Sequence, residues 1–198
     1  MTGSVEIPAG ATSKQVIDLD GDGIPDTAWI VTDPSGVTAV GVVTGAGGGT
    51  ERIWNSASPV MRSVLVVHVN DSTPPLFLAD DGRMVQLWAF HDCTIADVLN
   101  VQGNPYEFSL GFTDFGTGVG CATIDDEQQL VGLNVTTDSN DTVEWSSTVV
   151  TVNDTAAVNG VITTGTFTRP RDNAAIELLH TVACGDQTIT NDGIAASQ

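Results

Sequence analysis

Short runs of Val, Ile and Thr alternate with polar residues along most of the chain, and Gly, Asp, Asn and Pro interrupt them every few residues. A period of two with such punctuation is the signature of β-strands that bury one face. Strands are expected at 4–7, 15–19, 27–31, 38–44, 52–55, 64–69, 76–79, 84–91, 94–99, 106–112, 118–124, 130–135, 142–152 and 159–167. Their turn-to-turn spacing is that of a sandwich, barrel or propeller. One segment departs from the pattern. From Asp172 or Asn173 as a cap, Ile176, Leu179 and Ala183 recur at helical spacing, and Gly185 offers a left-handed stop. This predicts a short helix over 173–184. The N-terminal residues and the tail after Thr190 carry no such pattern and are expected to be flexible.

The strand pattern partly repeats. Val16-Ile17-Asp18-Leu19-Asp20, Val66-Val67-His68-Val69-Asn70 and Ala122-Thr123-Ile124-Asp125 align in register. A polar turn follows each, and then an apolar strand: Ala28-Trp29-Ile30-Val31, Leu76-Phe77-Leu78-Ala79 and Leu130-Val131-Gly132-Leu133. A recurrence at about fifty residues lies within the range of propellers and arrays. The chain of 198 residues is therefore read as one domain, 1–198, with three degenerate repeats at about 12–62, 63–115 and 116–168 ahead of the helix.

Charge narrows the functional classes. Twenty-five acidic residues against six basic ones give a net −19. Such a surface repels phosphate, so no nucleic acid is expected as a partner and anionic membranes are poor ones. It suits divalent cations, cationic partners or a saline medium. No apolar run approaches the ~20 residues of a membrane-spanning helix. Met1-Thr2-Gly3-Ser4 is small and polar, which reads as the start of a mature domain rather than a signal peptide. Cys93, Cys121 and Cys184 show no paired spacing of the zinc or iron–sulfur kind. In an oxidising compartment two of them pair. Cys93 with Cys121 is favoured, because each sits at the edge of neighbouring predicted strands, and Cys184 could replace either.

One motif carries chemistry: Asp18-Leu19-Asp20-Gly21-Asp22-Gly23-Ile24-Pro25-Asp26. Carboxylates at loop positions one, three, five and nine converge when the chain curls. Gly23 permits the bend, and the Ile24 carbonyl adds a fifth oxygen. Several hard anionic donors select Ca²⁺ over softer metals. A helix–loop–helix hand would place a glutamate at position twelve, where this chain has Trp29 inside an apolar strand. The nine-residue loop between two strands instead resembles the FG-GAP/VCBS-type repeats of integrin-like β-propellers and secreted bacterial proteins. The match is close over 16–31 and only in outline elsewhere. The resemblance implies an antiparallel all-β fold, propeller-like or built from propeller-like blades, with Ca²⁺ held by Asp18, Asp20, Asp22, Ile24 and Asp26. The second copy places His68, Asn70 and Ser72 at the ligand positions but closes with Pro74-Pro75, and the third has Asp125-Asp126-Glu127 without a glycine bend. Both keep the turn and lose the ion. A closed propeller has about four to eight blades. Three repeats therefore imply a fourth blade assembled from the termini, or an open or shortened relative.

The remaining candidates are weaker. His68, His91 and His180 have no spacing that joins them to a base, a nucleophile or a metal. Asp80-Asp81-Gly82 reads as a hairpin turn. Trp29 and Trp88 lie in apolar strands and belong to the core, whereas Trp54 and Trp145 have polar neighbours and are the candidates for a contact surface. Sequons at Asn70, Asn134, Asn140 and Asn153 are what a Thr- and Asn-rich β-protein generates by chance. The expectation is a secreted or cell-surface, calcium-binding, non-enzymatic binding or scaffold domain with a protein or carbohydrate ligand and no catalytic residue. The alternatives are a secreted hydrolase, with Asp125, Asp126 or Glu127 as its carboxylates, or an accessory domain of a larger surface protein.

Overall fold

The computed structural model describes residues 6–45, 47–112, 116–137, 142–168 and 177–197. It is all-β and antiparallel. A first sheet is the meander β1 (Thr12–Gln15), β2 (Thr27–Thr32), β3 (Thr38–Val43) and β4 (Gly49–Trp54). A second contains β5 (Ser63–Val67), β6 (Leu76–Asp80), β7 (Met84–His91) and β8 (Thr94–Asp97), with β9 (Glu107–Ser109) also paired to β7. The third is the meander β10 (Gly118–Ile124), β11 (Glu127–Thr137), β12 (Thr142–Asn153) and β13 (Ala156–Thr168). A small hairpin, β14 (Ala183–Cys184) and β15 (Gln187–Thr188), leads into a one-turn helix α1 (Ile189–Asp192) and β16 (Ile194–Ala195), which pairs with β5.

Alternation explains the stacking. In the second sheet Val64, Val66, Phe77, Ala79, Trp88 and Phe90 pack with Ala28, Ile30, Val40, Val42 and Trp54 of the first. Their neighbours Leu65, Val67, Leu76, Leu78, Leu87 and Ala89 pack with Val119, Leu130, Val150 and Val152 of the third. Two buried faces require continuous apolar strands, which is why 64–67, 76–79 and 87–90 read as unbroken runs. Each large side chain fully buried there contributes about 1.5–3 kcal/mol. Arg52 joins the first two sheets at their edge: its guanidinium reaches Asp97 at 2.6 Å and lies 4.8 Å from the centroid of Trp88.

Several local expectations change. The strand expected at 15–19 lies at Thr12–Gln15, with two ladder bonds continuing to Val16 and Ile17 before the chain turns and buries Leu19. The start of the predicted helix lies outside the described residues. Glu177 and Leu178 are helical, but Ala183 and Cys184 form a strand paired with Gln187–Thr188, and just before it the chain passes beside β10, where the Val119 N–H donates to the Thr181 carbonyl at 3.0 Å. This run brings Cys184 to Cys121, and these two form the disulfide, with Cα atoms 4.6 Å apart. Cys93 is not their partner. It occupies an exposed two-residue turn with Asp92, at φ 57° and 48°. A cross-link spanning 63 residues stabilises by about 4 kcal/mol on chain-entropy grounds. The tail is ordered rather than flexible, because Ile194 and Ala196 are buried in the core between the first two sheets. Trp54 is also corrected. It is 2% exposed, edge-on to Trp88 at 5.3 Å, and its polar neighbour Arg52 lies half-buried over Trp88 at the same junction.

Candidate metal centre

The ladder between β1 and β2 extends by two bonds beyond the strands: the Val16 N–H donates to the Asp26 carbonyl (2.8 Å) and the Asp26 N–H to the Ile17 carbonyl (3.4 Å). Between these anchors the chain must reverse. Leu19 is buried, while Asp20, Gly21, Asp22, Gly23 and Ile24 are exposed. Gly21 and Gly23 take φ 78° and 84°, a left-handed conformation that residues with a Cβ adopt at a cost.

The loop is curled by its own carboxylates. Asp18 accepts the Gly21 N–H on Oδ1 and the Gly23 N–H on Oδ2, both at 2.7 Å. Asp20 Oδ1 accepts the Asp22 N–H at 3.2 Å, and Asp22 Oδ1 accepts the Ile24 N–H at 2.7 Å. One carboxylate oxygen from each of Asp18, Asp20 and Asp22 lies within 4.8 Å of the other two. None of the three joins any of the ion pairs among the described residues. The Asp18 carboxyl is held below its ordinary value, chiefly by the Gly23 N–H, against a smaller opposing effect of desolvation and with help from Gly21 and Asp22.

Asp26 is placed differently. It is 1% exposed, accepting the Leu19 N–H on Oδ2 and the Gly45 N–H on Oδ1, each at 2.8 Å. It clamps the base of the loop to the β3–β4 connection. Gly45 there lies so close to Ile24 that a Cβ would stand 2.8 Å from the Ile24 side chain. The spacing of the motif did not disclose this clamp. A buried closing carboxylate directly before an apolar strand is the signal that could have. The donor set of the loop consists of hard oxygens alone, and three of its carboxylates already converge, so these residues fit a hard divalent cation.

The other candidates are dispersed. His68 and His180 are exposed, and His91 lies 3.4 Å from Asp92 and 4.0 Å from Asp154. Asp125 and Asp126, at φ 52° and 64°, are the central residues of the β10–β11 hairpin turn and are exposed with Glu127. The turn at Asp80-Asp81-Gly82 is present, with Gly82 at φ 80°. Asp81 is buried in it, accepting the Arg83 and Met84 N–H groups and the Ser56 hydroxyl. Trp145 is half-buried and lies against Gly165, its cross-strand partner.

Fold and loop together define an all-β, disulfide-linked domain of three stacked antiparallel sheets carrying an exposed three-carboxylate turn. No protein-family model, curated protein or solved structure matches the chain.

Proposed function

We propose that the loop 18–26 binds Ca²⁺ and that the chain is a secreted or cell-surface binding or scaffold domain, non-enzymatic, built from propeller-like blades of the FG-GAP/VCBS kind. The observation that carries this reading is the convergence of Asp18, Asp20 and Asp22 without an ion-pair partner among the described residues. Like charges so close repel, and a divalent cation relieves that repulsion. Asp18, Asp20 and Asp22 supply side-chain oxygens and Ile24 its carbonyl. Asp26 closes the set, since each of its oxygens keeps a lone pair beyond the N–H it accepts. Exposure and the structural commitment of Asp26 favour weak affinity, about 10⁻⁴–10⁻³ M, the range of extracellular modules.

An extracellular location is supported by the Cys121–Cys184 disulfide and by the acidic surface. Among the described residues no helix is long and apolar enough to cross a membrane. The blade reading draws on the three stacked sheets, in each of which an aligned sequence copy leads into the connection between two consecutive strands, β1–β2, β5–β6 and β10–β11. The test is thermal unfolding with calcium and with chelator. At free calcium a hundredfold above Kd the ion adds about 2.7 kcal/mol, and D20A/D22A removes that increment. A wild-type melting temperature indifferent to chelator refutes the reading.

A further inference from the structure

Among the described residues the third sheet outruns what covers it. β11, β12 and β13 have 11, 12 and 13 residues, whereas β9, which lies over them, has three. Where the two meet, a cleft of about 370 Å³ opens beside the core. Its wall is aromatic: Tyr106 and Phe108, one residue apart on alternating backbone, make an edge contact at 5.1 Å. Its floor is bare backbone at Gly132, where a Cβ would stand 3.2 Å from Phe108. Thr148 is paired across the sheet with Gly132 on one side and Ile162 on the other, so the three lie on that same face.

Two amides in the cleft are oriented. The Tyr106 hydroxyl donates to Asn159 Oδ1 at 2.6 Å, and the Gly116 N–H donates to Asn134 Oδ1 at 2.8 Å. These bonds fix how the amides face, leaving the NH₂ groups to donate to a ligand and each oxygen a second lone pair. The Thr148 hydroxyl adds a donor or acceptor, and the Glu107 carboxylate adds an acceptor. Among the described residues no Lys, Arg or His lines the cleft, and the chain carries −19. An anionic ligand is therefore repelled. A wholly apolar ligand would leave the amides and hydroxyl buried without partners, at a cost. The composition suits a neutral molecule with apolar faces for the Tyr106 ring and Ile162 and many hydroxyls for the amides. A second depression of about 400 Å³ shares Asn134 and continues outward along the same face over Ser146, Thr164, Thr136 and Thr166. It gives room for a chain rather than a single unit.

We infer that this cleft binds a neutral oligosaccharide, Tyr106 stacking on a sugar face with the buried Phe108 behind it while Asn134, Thr148 and Asn159 bond its hydroxyls. The inference rests on the reading of the chain as an extracellular binding domain, and it is independent of the calcium loop. The test applies the whole chain to an array of neutral, uronate-bearing and sulfated glycans and follows with calorimetry on those bound, with calcium and with chelator. Saturable binding of neutral glycans is expected, without binding of the acidic ones. N159D keeps the acceptor for Tyr106 but removes the amide donor, and T148V removes a hydroxyl at constant shape. Each weakens affinity about five- to tenfold with the melting temperature retained. Failure of every neutral glycan to bind, preference for acidic ones, or binding that ignores both variants overturns the inference. Calcium binding without any glycan binding sinks only this site. Glycan binding by a protein that takes up no calcium sinks only the calcium loop.

Discussion

The β1–β2 and β5–β6 connections occupy the same place in two sheets and are closed by different chemistry. In the first, Asp18 gathers the N–H groups of Gly21 and Gly23, and two further carboxylates stand beside it. In the second, Asn70 Oδ1 accepts the Ser72 N–H at 3.1 Å and the hydroxyls of Ser72 and Thr73 at 2.7 and 2.9 Å, while its Nδ2 donates to the Gln128 carbonyl at 2.8 Å. The second turn carries a single exposed carboxylate, Asp71, is satisfied by its own hydroxyls and is fastened to the third sheet. The first is anionic, fastened through Asp26 to Gly45 of its own sheet, and left with excess negative charge. The same backbone task thus leaves one turn complete and the other suited to a cation.

The comparison breaks first at its clamp. D26A removes two hydrogen bonds to a buried carboxylate and strands the Leu19 and Gly45 N–H groups. A loss of about 3–5 kcal/mol is expected in denaturant unfolding, and a loss below ~1 kcal/mol would show that the loop is not anchored there. N70A is the matching change in the second turn, where the bonds are neutral and partly exposed. It is expected to cost about 1–2 kcal/mol and to leave calcium binding unchanged. A calcium affinity that falls with N70A would make the two turns coupled rather than parallel.

The smallest effect is on pH. Because the fold lowers the Asp18 carboxyl below its ordinary value of 3.8, its contribution is fully present above that value. It is lost as pH falls through the lowered one. Burial moves Asp80 upward, so its change in acid has the opposite sign. In calcium-free buffer D18N, which makes the first turn resemble the second, is expected to flatten the acid limb of the melting temperature below about pH 4. An unchanged acid limb would mean that Asp18 does not hold the loop.

Much of the fold was legible because burial imposes pattern. The unbroken runs at 64–67 and 76–79 are those with a sheet on either side, and Met84–His91 is a strand over the bounds its sequence implies. What escaped depends on distant partners. Cys184 meets Cys121 because the chain after Thr181 runs alongside β10, a placement no local spacing encodes. Trp54 reads as exposed beside Arg52 and Asn55, yet the guanidinium of Arg52 lies over Trp88, which packs against Trp54. The convergence of Asp18, Asp20 and Asp22 was legible from alternation and glycine spacing. The cleft at Tyr106 and Asn159 was not, since 53 residues separate the two side chains that meet across it.

The most direct measurement is calorimetric titration of the metal-free chain with calcium. One ion should bind the wild type with Kd in the range of about 10⁻⁴–10⁻³ M, magnesium should substitute poorly because it demands tighter octahedral geometry, and D20A/D22A should show no binding heat. Absence of binding to the wild type at millimolar calcium, or unaltered binding by D20A/D22A, would contradict the assignment of the ion to this loop.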